Sequence, residues 1–202
     1  MTHIVTSVAE LEALYGLPSG AAVIKEIGHI SDHYRAFIEA SPFVVLATSG
    51  PEGLDCTPRG DPAGFVRVVD RQTVMLPDRR GNNRLDTLRN LVGDPRIALL
   101  FLIPGEGRTL RINGRAVINT DPALCASFTM EGKAPRSVIV VTVERVYTQC
   151  PKALIRSKLW NPAAHADPGL PSTGAMMQAL QADFDAEAYE RDYPQRLKET
   201  IY

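Results

Sequence analysis

Between the apolar run "TVML" and the helical pattern "NRLDTLRNLV" stands "PDRRGNNR", with three arginines, a glycine and two asparagines inside Arg79–Arg84. The guanidinium groups of Arg79, Arg80 and Arg84 are planar donor forks suited to phosphate or carboxylate. A helix opening at Asn82 or Asn83 would aim its free N–H groups and positive dipole end into the same corner. Gly81 would let the main chain approach a ligand closely. Two readings follow from these residues. One is an anion site, for a phosphate; the other is a solvated loop in which Asn82 caps the helix and the arginines pair with Asp78 and Asp86. Arginine ordinarily favours the opposite end of a helix, which tilts the balance toward a ligand.

Three further clusters could share that chemistry. "TPRGDPAGFVRV", residues 57–68, holds Arg59 and Gly60 in a Pro/Gly loop beside a strand carrying Arg67. In "TLRINGRA", Arg111, Asn113 and Arg115 alternate and so share one strand face. "KALIRSKLWNP" groups Lys152, Arg156, Ser157 and Lys158 with Trp160, the one tryptophan of the chain. Each has a plainer explanation as well: a rim loop, a solvated strand face, a packing tryptophan.

Other chemistries find little support. There is no GxSxG nucleophile elbow and no evident carboxylate dyad. Cys56, Cys125 and Cys150 are odd in number and lack CxxC spacing, so neither a disulfide framework nor a structural zinc site is expected. His3, His29, His33 and His165 form no ligand pattern, and no metal is expected. No catalytic residue stands out, which suits a protein whose bound cofactor carries the reactive group.

The elements that must position these residues fall into three parts. Residues 1–42 read as a helical extension. Ser7 and Glu10 form a capping-box pair, a less definite segment covers about 19–28, and a helix opens at Ser31 and stops before Pro42. Residues 43–160 carry the strand candidates "FVVLATS", "LDCTP", "FVRVVD", "TVMLP", "RIALLFLI", "TLRINGRAVIN" and "SVIVVTVERVYTQ". Two helices interrupt them, one over residues 83–92 and one after Asp121, with Pro122 at its first position. Residues 161–202 read as a Pro/Gly-rich loop and a helical tail broken near Pro194, packing on the barrel or on a partner. Short strands joined mainly by hairpins, without βαβ alternation or GxGxxG, predict a mainly β (α+β) fold: a six- to seven-stranded antiparallel split barrel with flanking helices.

Composition bounds the partners. The 202 residues hold 22 Lys and Arg against 23 Asp and Glu, for a net charge of −1. Bulk electrostatic capture of nucleic acid is not expected of such a balance, whereas a small phosphate needs only local charge. No apolar run is long enough to span a bilayer and no signal-peptide pattern opens the chain, so no membrane partner and a cytoplasmic location are expected.

The order of these features resembles the pyridoxamine 5′-phosphate oxidase-like flavoproteins, from about Phe43 to Val146 and on through Trp160. "FVVLATSGPEGLDCTPRGDPAGFVRV" resembles that family's opening hairpin and next strand, "VMLPDRRGNNRLDTLRNLVGDPRIALLF" its strand, phosphate loop, helix and turn, and "TLRINGRAVI" its "RVxGxA" strand. Taken together, "TPRGDPAGF", "GNNRLDTLRNL" and "IRSKLW" resemble an uncharacterised branch. The resemblance implies a homodimer with FMN in clefts between subunits. Arg79, Arg80, Asn82, Asn83 and Arg84 would hold the phosphate; Arg59, Gly60, Pro77 and Asp78 would run beside the flavin. Arg111, Asn113, Arg156, Ser157 and Trp160 would approach from the other subunit. It further implies an FMN-dependent oxidoreductase moving electrons or hydride between a nicotinamide or similar donor and a small molecule or oxygen. The alternative is a non-catalytic flavin or deazaflavin store. The tail lacks the late Arg and His pattern of true pyridoxamine phosphate oxidases, so pyridoxamine phosphate is not the expected substrate.

Overall fold

The computed structural model describes residues 3–18, 20–164 and 169–202. His165 and part of the expected 161–174 loop lie outside the described residues, as does Ser19 of the 19–28 segment. Seven strands form one sheet: β1 (Phe43–Gly50), β2 (Gly53–Gly60), β3 (Arg67–Val68), β4 (Thr73–Asp78), β5 (Arg96–Leu102), β6 (Thr109–Asn119) and β7 (Ser137–Gln149). Their order is β2-β1-β5-β6-β7-β4-β3, with every pairing antiparallel. The ladder does not close, because β2 and β3 are both edges. "FVRVVD" pairs only through Arg67 and Val68, which makes β3 the shortest strand.

Alternation builds the core. In β1 the even residues Val44, Leu46 and Thr48 are buried, and in β5 Ile97, Leu99 and Phe101 are. Leu76 of β4, Leu110 and Ile112 of β6, and Ile139 and Val141 of β7 complete one cluster. The long β6–β7 ladder slips register between Asn113 and Gly114. There a Cβ on Gly114 would run into the Thr142 carbonyl, so the bulge depends on a residue without a side chain.

Helices cover the sheet unequally. The first, α1 (Val8–Tyr15), is capped by Ser7, whose hydroxyl accepts from the Glu10 N–H, yet buries none of its residues. The 19–28 segment is helical only over α2 (Ala21–Ile24), after which Ile27 bridges Val146. From Ser31, α3 (Asp32–Ala40) sends Ile38 into the core, and Arg35 donates to the Val68 carbonyl. Next, α4 (Asp86–Gly93) lies on β1 through Thr87, Asn90 and Leu91, which the helical period puts on one face. The Asn90 amide donates to the Thr48 hydroxyl at 3.2 Å, in space that a side chain at Gly50 would fill.

Pro122 opens α5 (Pro122–Ser127) under an Asp121 cap, as the sequence predicts, and α6 (Lys152–Ser157) follows β7. The tail differs from expectation. After α7 (Thr173–Leu180), α8 (Ala186–Thr200) runs unbroken through Pro194. Proline removes only the bond to the Glu190 carbonyl, and the flanking turns carry the helix past it. The Glu190 carboxylate accepts from the Gly174 N–H, which lashes α7 to α8. Among the described residues no helix is long and apolar enough to cross a membrane.

Gly114→Ala tests the bulge. The added methyl group should cost about 1–3 kcal/mol of stability by overpacking, read as a lower urea midpoint with an unchanged slope.

Candidate functional site

The open edge of the sheet is drawn together by charge. Arg59 stands one residue before the end of β2 and Asp78 ends β4; their side chains meet at 3.8 Å across the gap. Two residues on from Arg59, Asp61 accepts from Arg79 Nε at 2.7 Å. Thus "RGD" of one lip and "DR" of the other pair reciprocally. The Asp61 side chain is only 1 % exposed, which makes its pair with Arg79 a buried one. Arg79 also donates through Nη1 to the Phe128 carbonyl at 2.7 Å.

Beside this seam opens a cleft of about 1400 Å³. One wall is β2, where Asp55, Thr57 and Arg59 alternate onto the half-buried face. Thr87 on α4 donates to Asp55 at 2.5 Å and lies 3.4 Å from Arg59 Nη2, so helix and strand are pinned at the floor. The second wall is the loop from Pro77 to Leu85, and the third is the Lys133–Ser137 approach to β7, with Ile201 and Tyr202 closing one end.

The loop conformation departs from expectation. The helix opens at Asp86, not at Asn82 or Asn83. Asn83 (φ 60°) and Leu85 (φ 62°) are both left-handed, and Leu85 fills the cap position without a side-chain bond. Asn82 does not cap: its amide oxygen accepts from the Arg84 N–H at 3.1 Å, an Asx turn inside the loop. A leucine in that conformation is held by tertiary packing rather than by its own preference.

The arginines divide by role. Arg79 is committed to Asp61 and Phe128, and Arg59 to Thr57, the Pro58 carbonyl, Thr87 and Asp78. Arg84 pairs with Asp86 at 2.8 Å while remaining exposed, as the solvated-loop reading expects. Among the described residues Arg80 and Arg136 have no hydrogen bond or ion pair, and both face the cleft. Burial raises the Asp78 carboxyl above its usual range, against the opposing pull of Arg59.

Of the predicted residues, Arg59, Gly60, Pro77, Asp78, Arg79, Arg80, Asn82, Asn83 and Arg84 line this one cleft. Arg111, Asn113, Arg156, Ser157 and Trp160 do not. Arg111 is bonded to the Tyr147 hydroxyl and Gln149, and Trp160 Nε1 donates to the Glu106 carbonyl at 2.7 Å. Trp160 borders a separate hollow of about 450 Å³ between α6 and the 105–107 turn. Sequence reasoning missed Asp55, Thr87, Lys133, Arg136 and Tyr202. Asp55 and Thr57 share the strand period of Arg59, and "KAPRS" places two cations around a proline before a strand, so both signals were present.

Two predictions follow from this division. Breaking the buried pair with Arg79→Ala should cost about 3–5 kcal/mol, while Arg80→Ala should change stability by less than about 0.5 kcal/mol; thermal or urea melts separate them. Asp78 holds its proton longer folded than unfolded, so its contribution is full below about pH 4 and is lost as pH rises through the raised value. Asp78→Asn should therefore gain on the native chain across that interval in pH-resolved urea titrations.

The family model described as pyridoxamine 5′-phosphate oxidase matches residues 30–150. Similar solved structures include HupZ of Group A Streptococcus, with 19% identity, a TM-score of 0.49, and coverage of 60% of this chain and 94% of that one. General Stress Protein 26 of Bacillus anthracis shares 13% identity at a TM-score of 0.43, covering 56% of this chain and 88% of that one. An F420 reductase shares 17% at 0.43, covering 59% and 98%. No curated protein matches the chain. The family match spans the sheet from β1 to β7, both lips of the seam and the three polar walls of the cleft; on it, the chain belongs to the pyridoxamine 5′-phosphate oxidase family.

Proposed function

We propose that the cleft binds FMN by its phosphate and that the protein is an FMN-dependent oxidoreductase. The observation that carries this reading is a pair of unpaired cations, Arg80 and Arg136, facing one another's cleft beside Arg84 and Lys133 in a chain of this family. The donor set fits a phosphate. Arg80 and Arg84 offer forks, and nothing stands within 4 Å of where a Gly81 side chain would be, so the main chain can be reached there.

When bound, FMN supplies the redox chemistry. The chain's own residues hold and orient it. Arg80 and Arg84 grip the phosphate, with Asn82 and Asn83 shaping the loop that presents them. Gly60, Pro77 and Asp78 border the floor, where Arg59 keeps its place through Thr87. Arg111, Asn113, Arg156, Ser157 and Trp160 complete the site from a second copy in a homodimer. The electron donor is a nicotinamide or similar molecule and the acceptor a small organic molecule or oxygen; pyridoxamine phosphate is not the substrate. Phosphate chemistry serves a flavin store or a deazaflavin equally, which makes a non-catalytic binder the second reading.

The purified protein should be yellow or become so with FMN, and a nicotinamide should bleach it; binding without bleaching by any nicotinamide favours the store. Joint Arg80→Ala and Arg84→Ala substitution should weaken FMN by about 1.5–3 kcal/mol for each charge-assisted bond lost, followed by quenching of flavin fluorescence. Equal affinity in the doubly substituted protein would remove the phosphate clamp from the account.

A further inference from the structure

The segment after α8 comes back to the cleft from far along the chain. The Tyr202 hydroxyl donates to Asp61 Oδ1 at 2.8 Å, and its ring lies 5.6 Å from the Arg79 guanidinium. Its main-chain oxygen accepts from Lys133 Nζ at 3.0 Å. All three contacts fall on cleft residues, from both sides of the opening.

Little else holds this arm to the body. Among its described residues α8 buries none, and its chief packing partner is α7, which is itself largely exposed. The arm is therefore a helical pair fastened to the sheet chiefly by the polar contacts of its last turn. A phosphate at Lys133 can reach Arg80 and Arg136 of the same cleft as well, whereas the Tyr202 main-chain oxygen bonds Lys133, so that oxygen is the weaker of the two competitors. Loss of that bond leaves only the phenol bond to Asp61 and the ring over Arg79. The Asp61–Arg79 pair does not need the arm to persist, so the lip of the cleft survives its departure.

We propose that Ile201 and Tyr202, carried on α8, form a strap that occupies the cleft, and that a phosphate-bearing ligand displaces it from Lys133 and Arg79. The strap lowers apparent affinity by the fraction of molecules in which it is open, and an occupied cleft holds it away. It rests on the anion-binding reading of the cleft but not on the flavin's identity.

Hydrogen–deuterium exchange over residues 195–202 of the whole chain reads the strap directly, with inorganic pyrophosphate as the probe. Saturating pyrophosphate should speed exchange in that segment. Tyr202→Ala should exchange fast without ligand and bind pyrophosphate about three- to tenfold more tightly, the factor being the inverse of the open fraction. Tyr202→Phe keeps the ring over Arg79 but loses the bond to Asp61, and should fall between the two. Unchanged exchange at saturation, equal or weaker binding by Tyr202→Ala, or no pyrophosphate binding by either protein would overturn the strap. FMN titrated in parallel separates the two claims. Displacement by pyrophosphate without FMN binding retires the flavin and leaves the strap standing.

Discussion

Two ion pairs crossing an open seam organise this molecule. A sheet of seven strands with edges at β2 and β3 has no hydrogen-bonded reason to bring Arg59 near Asp78. Yet the end of β2 and the end of β4, separated by four intervening strands, meet through Arg59–Asp78 and, one step further, through Asp61–Arg79. The second pair is the stronger constraint, because the Asp61 carboxylate is almost wholly removed from water. A carboxylate so placed is tolerable only when paired with a cation, and Arg79 supplies one at Oδ2; Oδ1 takes the Tyr202 hydroxyl, or water from the cleft once that hydroxyl leaves. The cleft is the space that this closure leaves beside it.

That closure decides what each arginine can do. In an apparently uniform run of basic residues, position along the chain matters less than what the opposite lip supplies. Arg79 meets a buried acid and becomes part of the frame; Arg80, one residue on, meets nothing and remains available to a ligand. The left-handed turns at Asn83 and Leu85 then delay α4 so that its first residues, Asp86 and Thr87, serve the floor and Arg84. The loop is thus shaped at both ends by partners, and the cations left between them are those an anion would find.

How much of this the sequence discloses depends on the range of the interaction. Local alternation in "FVVLATS", "RIALLFLI" and "SVIVVTVERVYTQ" reveals the strands, because burial on one face needs only the period of the chain itself. Asp121 followed by Pro122 reveals a helix start for the same reason. Asn82 misleads: its type suits a helix cap, but a nearby N–H takes its oxygen first, and the true cap position falls on a leucine whose conformation only packing explains. The unbroken α8 is misread because proline's penalty is a single bond in a helix held along its length by others. Tyr202 and Asp61 are 141 residues apart, and no periodicity joins them.

Charge balance explains why the cleft stands out in a chain with net charge −1. Three exposed arginines elsewhere are neutralised close at hand: Arg96 by Asp94, Arg108 by Glu106, Arg191 by Asp192. The first two pairs hold Asp94 and Glu106 below the usual carboxylate range through bonds from the arginine two residues on. Such pairs leave no field beyond their own neighbourhood, because the two charges cancel within a distance shorter than the screening length of about 8–10 Å. Among the described residues Arg80 and Arg136 lack that local compensation, and Lys133 has the main-chain oxygen of Tyr202. Like charges on facing walls repel, and in a partly enclosed cleft solvent screens them less than it would on an open surface. The arrangement is relieved by an anion between them or, in its absence, by whatever acceptor the chain can bring. The main-chain oxygen of Tyr202 at Lys133 is such an acceptor, and a phosphate answers the same repulsion at several of these cations at once.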